Sequence, residues 1–127
     1  MRGQLDLSVQ KDITIEKMQR YSAESNSIHT SEEAGQKSGL GGALVQGGQL
    51  VGYLIEYMIK SQGERFLAGG EISATFVKPV RAGDSVQVRS EVQPASSPEN
   101  ILELQIWLEN QRGEKVTVGT ACIGRQK

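Results

Sequence analysis

Residues 39–60, GLGGALVQGGQLVGYLIEYMIK, decide the fold class of this 127-residue chain. Leu50, Val51, Leu54, Ile55, Met58 and Ile59 recur at the spacing that gathers apolar side chains on one broad helical face, so the segment predicts a long, largely buried helix. Gly47, Gly48 and Gly52 fall in its first half, where each glycine costs up to about 1 kcal/mol relative to alanine. Something is therefore expected to approach the backbone there, either a ligand or another helix.

Downstream of Gly70 the period falls to two. Ile72, Ala74 and Phe76 alternate with Ser73, Thr75 and Val77, and Val86, Val88 and Val92 keep the same parity, which predicts two strands joined through KPVRAGD. Leu102, Leu104, Ile106 and Leu108 continue the alternation into an NQRG turn at Asn110 to Gly113, after which VTVGTACIG completes an antiparallel hairpin. PASSPEN, residues 94–100, has turn composition and links that hairpin to the preceding strand. Upstream, QLDLSV at 4–9 alternates as a short first strand. Thr14 is the expected N-cap of a short helix holding Ile15 and Met18, which should end before Ser25. Thr30 and Glu33 stand in the capping-box relation for a second helix, Ser31 to Ser38, stopped by Gly39.

The order of elements, strand, short helices, one long helix and four strands, is an α+β arrangement in a single domain over residues 1–127. An antiparallel sheet wrapped around one central helix is the hotdog architecture. One copy would leave a sheet edge and part of the helix underprotected, so a homodimer or a higher even-numbered assembly is expected.

Composition narrows the function. Fourteen basic against fifteen acidic residues, a net charge of −1, supply no field that would draw the chain to nucleic acid or an anionic membrane. No apolar run reaches the length of a signal peptide or a membrane span, and the expected location is cytoplasmic. Cys122 and His29 are the only residues of their kinds, which excludes an intramolecular disulfide and a Cys/His zinc set. Cys122 itself reads as a small buried side chain of the last strand.

His29 is the one side chain whose ordinary pKa, about 6.5, makes it titrate near neutrality. It lies in the polar loop SNSIHTS just before the second short helix, with Glu24 five residues earlier, and the two form a candidate acid/base pair suited to adding or removing water. The plainer alternative makes Glu24 a solvated helix-end charge and bonds His29 to Asn26 or to backbone. Gly41, Gly42, Gly47 and Gly48 flank the start of the long helix, where unpaired amides and the helix dipole favour an oxyanion or polarised carbonyl; equally, they permit tight packing. No G-K-[ST] follows them, and no dinucleotide fingerprint is assembled. Lys78 and Arg81 bracket Pro79 and offer two cations to a phosphate, with solvated surface charge as the alternative. Asp84 reads as a turn residue.

The segment SNSIHTSEEAGQKSGLGGALVQGG resembles the hydratase segment of the MaoC-like family, the (R)-specific enoyl-CoA hydratases and related acyl dehydratases, with its D-x-N-P-[IL]-H motif. FVKPVRAGDSVQVRSEV and LENQRGEKVTVGTACI resemble two further recurrent stretches of that family, in the same order. The resemblance implies that His29 is the catalytic histidine, Asn26 the motif asparagine, and Glu24 the stand-in for the catalytic aspartate. Ser27 replaces the motif proline, Gln46 stands where histidine is usual, and Gly48 where methionine is. It further implies water activated for addition across an α,β-unsaturated thioester, a hydro-lyase reaction. The Gln46 to Gly48 backbone would polarise the carbonyl, with coenzyme A or acyl carrier protein as part of the substrate and no metal or redox cofactor. A thioesterase on the same fold, and a catalytically silent acyl-binding or partner subunit, remain as alternatives.

Overall fold

The computed structural model describes residues 9–21, 29, 31–37, 42–93 and 102–123. Its elements are β1 (Gln10–Asp12), α1 (Ile15–Tyr21), α2 (Glu32–Lys37), α3 (Gly47–Gln62), α4 (Glu64–Gly69), β2 (Glu71–Phe76), β3 (Ser85–Val92), β4 (Leu102–Asn110) and β5 (Lys115–Ile123). The five strands form one sheet in the order β1-β3-β4-β5-β2, with every neighbouring pair antiparallel. The expected α+β hotdog arrangement is the one observed.

Strand parity places α3 on the sheet. Leu104, Ile106 and Leu108 of β4 are buried while Gln105 between them is exposed, and β5 answers with Ala121 and Ile123. Leu50, Leu54 and Met58 of α3, four residues apart, close over this apolar face and are buried. The stripe is narrower than the sequence suggests, since Val51 and Ile55 are half-buried and Ile59 is exposed. Two polar contacts hold the helix in register: the Tyr57 hydroxyl lies 2.6 Å from Ser90 Oγ of β3, and Lys11 Nζ of β1 lies 3.0 Å from Glu56 Oε1. Phe76 and Val92, which continue the alternation at the ends of their strands, are exposed.

Several boundaries differ from expectation. Among the described residues the first strand is Gln10–Asp12; of the strand expected at 4–9, residues 4–8 lie outside the described residues and Val9 stands just before β1. Strand β1 pairs with β3 through backbone bonds that run on from Val88 N to Val9 O and from Ile13 N to Asp84 O; Val9 and Ile13 are buried, and the polar Lys11 between them hides the period from the sequence. Thr14 does cap α1, accepting the Lys17 amide at 3.2 Å. For α2 the cap is Ser31, which accepts the Ala34 amide at 3.2 Å; Thr30 and Gly39 lie outside the described residues. Glu33 pairs instead with Lys37, at 3.0 Å on the exposed side of the helix. The short helix α4 has no counterpart in the sequence reading, because one buried anchor, Phe66, leaves no readable period. Cys122 is half-buried rather than buried: its register partners Glu71 and Glu103 place it on the sheet face turned away from α3.

Candidate active site

The loop before α3 and the loop after β2 are stitched together. Val45 donates its amide to Val80 O at 2.7 Å, and Leu44 forms an isolated antiparallel bridge with Arg81. Helix α2 braces this junction from behind. Glu32 Oε1 accepts the Ala43 amide at 2.7 Å, and Gly35 packs so closely on the Gly42 carbonyl that a side chain there would collide with it. Gly42 itself turns the chain at φ 132°, a conformation that favours glycine. The carbonyl of Leu44 is thereby held in place, and His29 hangs from it through Nδ1 at 2.9 Å. A carbonyl only accepts, so Nδ1 carries the proton of the neutral ring and Nε2 carries the lone pair. The bond thus fixes the tautomer of the neutral imidazole. Glu24, Asn26 and Gly41 lie outside the described residues.

Two residues after Leu44, Gln46 occupies the N-cap of α3 with extended backbone (φ −71°, ψ 139°) and no side-chain cap bond. The Gln49 amide turns back to Gln46 O at 3.0 Å, which leaves the amides of Gly47 and Gly48 as the donors at the helix start. The ends of two half-exposed aromatic side chains lie over these glycines. A Cβ on Gly47 would lie 2.7 Å from the Phe76 ring of β2, and one on Gly48 would strike the hydroxyl of Tyr21 at the end of α1. Gly52 meets nothing within 4 Å, so its presence has no steric cause among the described residues. Gln46 Oε1 and Gln49 Oε1 are buried without a hydrogen-bond partner among the described residues, while Gln49 Nε2 reaches the Tyr53 hydroxyl at 2.8 Å.

An apolar cleft of about 360 Å³ opens beside this helix start, walled by Leu44, Gly47, Leu50, Phe76, Pro79 and Val80, with Lys78 at its side. Lys78 Nζ lies 3.1 Å from Glu114 Oε2 on the β4–β5 turn. Asn110 Nδ2 and Arg112 Nε also donate to Glu114, at 2.9 and 3.0 Å, and together these groups hold its carboxyl down at about 2. Arg81 stands at the bridge to Leu44, and its amide is capped by Asp84 Oδ2 at 2.9 Å, which gives Asp84 the turn role expected of it. Of the residues singled out in the sequence, Gly47 and Lys78 line this cleft; Gln46 and Gly48 flank Gly47 in the chain, and Arg81 and His29 are tied to the lining residue Leu44, by the bridge and by the Nδ1 bond.

The sequence profile of a family described as the MaoC-like domain matches residues 2–109, most of the chain. The chain belongs to the MaoC-like domain family. A search of curated proteins finds no match. Among solved structures, the unliganded R-hydratase PhaJ1 of Pseudomonas aeruginosa superposes with a TM-score of 0.72 at 23% identity, over 94% of this chain and 79% of that one. The (R)-hydratase of A. caviae involved in PHA biosynthesis gives 0.74 at 20% identity, over 94% and 92% of the two chains. The truncated HadBC complex of Mycobacterium tuberculosis, a 3R-hydroxyacyl-ACP dehydratase, gives 0.63 at 18%, over 89% and 88%. At these identities the likeness is one of fold, and it agrees with the hotdog arrangement described above.

Within this MaoC-like domain, sequence reading overlooks four residues that shape the site: Tyr21, Glu32, Leu44 and Phe76. Gly47 and Gly48 signal that something approaches, but which rings do so depends on contacts between distant elements. Among the described residues no group of three His, Cys, Asp or Glu side chains gathers to hold a metal ion, and no helix is long and apolar enough to cross a membrane.

Proposed function

We propose that this MaoC-like domain is an acyl-thioester hydratase or dehydratase, acting on trans-2-enoyl and 3-hydroxyacyl thioesters. The observation that carries the reading is the suspension of His29 from Leu44 O, because it assigns the basic lone pair to Nε2 of a residue whose anchor forms the wall of an apolar cleft. Water adds when one group takes its proton as the oxygen bonds to the β-carbon and another delivers a proton to the α-carbon. His29 and Glu24 fill those two roles in the proposal, with Asn26 assisting in substrate binding. The Gly47 and Gly48 amides, at the positive end of a 16-residue helix, face the oxygen on which negative charge develops. Rotating the Gln46 amide by half a turn exchanges its oxygen and nitrogen without changing its shape, so it can offer N–H to the same carbonyl. The aliphatic walls suit an acyl chain, while Lys78 and Arg81 suit the phosphates of coenzyme A or of an acyl carrier protein's prosthetic arm. No metal or redox cofactor enters this chemistry, and the location proposed is cytoplasmic.

Purified protein offered a panel of trans-2-enoyl-CoA thioesters should remove the conjugated enoyl absorbance without releasing thiol. His29→Ala and Glu24→Gln should each lower the rate by a factor on the order of 10² to 10⁴, the span typical of a lost acid or base. Thiol release would instead make the protein a thioesterase. Silence across the panel would favour an acyl-binding or partner subunit.

A further inference from the structure

The cleft beside the start of α3 has walls of two kinds. Val45, Leu50 and Val80 are buried and belong to the core, so their size is set by packing inside the chain. Phe76 lines the same cleft, yet it is 50% exposed and stands outside that core. Its size is therefore set by something other than core packing.

Contacts within the chain decide which way the ring points. Phe76 shares the parity of Ile72 and Ala74 along β2, the two residues of that strand that pack on the core. Its Cζ and Cε2 atoms lie 2.7 and 2.9 Å from where a Cβ on Gly47 would stand. The ring thus reaches across the cleft to the first residue of α3 instead of lying along the open edge of β2. The backbone that carries it is held, since the Val77 and Lys78 amides both donate to Val116 O, at 2.9 and 3.2 Å. This wall is one side chain on a fixed strand end.

Gly47 relates the ring to the chemistry. It lines the cleft, and its amide is a donor at the helix start, so a thioester carbonyl held there sends a substituent past Phe76. The pantetheine arm carries amide groups that an apolar cleft leaves without partners, whereas an acyl chain has none to satisfy. The acyl chain is the part that fits.

We propose that Phe76 sets the acyl length: its ring closes the cleft to longer chains, and the substrates are short-chain enoyl and 3-hydroxyacyl thioesters. The inference rests on the acyl-thioester reading given above. The volume agrees, since about 360 Å³ is near the lower end of the roughly 300–1,000 Å³ that ligand pockets span. In an open apolar groove each added methylene raises affinity about fourfold through its burial alone. A wall reverses that trend, because a methylene that does not fit costs roughly tenfold or more.

The test takes wild type, Phe76→Leu and Phe76→Ala and makes two measurements on each. One is kcat/KM on crotonyl-CoA and on trans-2-octenoyl-CoA; the other is the Kd of their saturated analogues, butyryl-CoA and octanoyl-CoA, which bind without being hydrated. Wild type should prefer the shorter member of each pair. Phe76→Ala should move both ratios toward the longer chain by a factor on the order of 10 to 10², with Phe76→Leu between. Damage to the fold would weaken both members of a pair alike, so the ratio reads chain length alone. An active wild type that prefers the longer chain, or whose ratios Phe76→Ala leaves unmoved, overturns the inference and leaves the hydratase reading standing. A wild type inert toward enoyl thioesters whose binding ratio still shifts in Phe76→Ala overturns the hydratase reading and leaves the inference. An inert wild type whose binding ratio does not shift, or that binds neither analogue, overturns both.

Discussion

Glu114 shows at the scale of one residue how charge is used in this chain. The Asn110 amide, the Arg112 guanidinium and the Lys78 ammonium all favour its ionised form, and its carboxyl is lowered to about 2 from an ordinary 4.5. A carboxyl whose folded pKa is depressed adds stability above its unfolded value, and loses it as pH falls through the folded one. Its contribution is therefore complete above about pH 4.5 and declines between there and about pH 2. Glu114→Gln should lower the thermal midpoint above about pH 4.5 and converge on the wild type toward about pH 2, flattening the curve between; a gap between the two proteins that does not narrow on acidification would refute the assignment. Thr117 presents the opposite case, a fully buried hydroxyl with no partner among the described residues. Thr117→Val replaces that hydroxyl by a methyl group of similar size and should stabilise the fold by about 1 kcal/mol in urea unfolding, because an unsatisfied buried polar group is removed.

Elements with a strong period are legible in the sequence, and elements held by a single contact are not. Helix α3 is legible because Leu50, Leu54 and Met58 repeat along one face, and β4 because Leu104, Ile106 and Leu108 alternate with Gln105 and Trp107. Both patterns report burial against something large, which is why they survive without the rest of the structure. Leu54→Ala should accordingly cost about 2–5 kcal/mol in chemical denaturation, since its side chain is fully buried under the sheet. By contrast β1 is a polar tripeptide chosen by backbone pairing, and α4 rests on Phe66 alone. The candidate site divides in the same way. His29 and the helix-start glycines stand out by residue type, but the brace from Glu32 and Gly35, the anchor at Leu44 O, and the rings of Tyr21 and Phe76 exist only because remote segments meet. Spacing along a chain does not encode such meetings.

For the whole molecule the unsettled surface is the β2 side of the sheet. Every other long strand has neighbours on both sides, whereas among the described residues β2 pairs only with β5 along its six residues. Phe76 and Val77 at its end are each 50% exposed, and Val51, Ile55 and Ile59 leave one flank of α3 incompletely covered. An open edge bordered by apolar side chains is costly to leave in water and is readily satisfied by the same edge of a second copy, antiparallel to the first. We propose such a dimer for this chain, with β2 meeting its counterpart across a two-fold axis. Light scattering after gel filtration should then give a mass twice the 13.8 kDa of one chain. Thr75→Lys puts a charge on the middle of the shared edge, outside the helix-covered face, and should shift the protein toward monomer with far-ultraviolet dichroism intact. A wild type that stays monomeric at high micromolar concentration would rule the dimer out. A dimer untouched by Thr75→Lys would move the contact away from β2, to another surface.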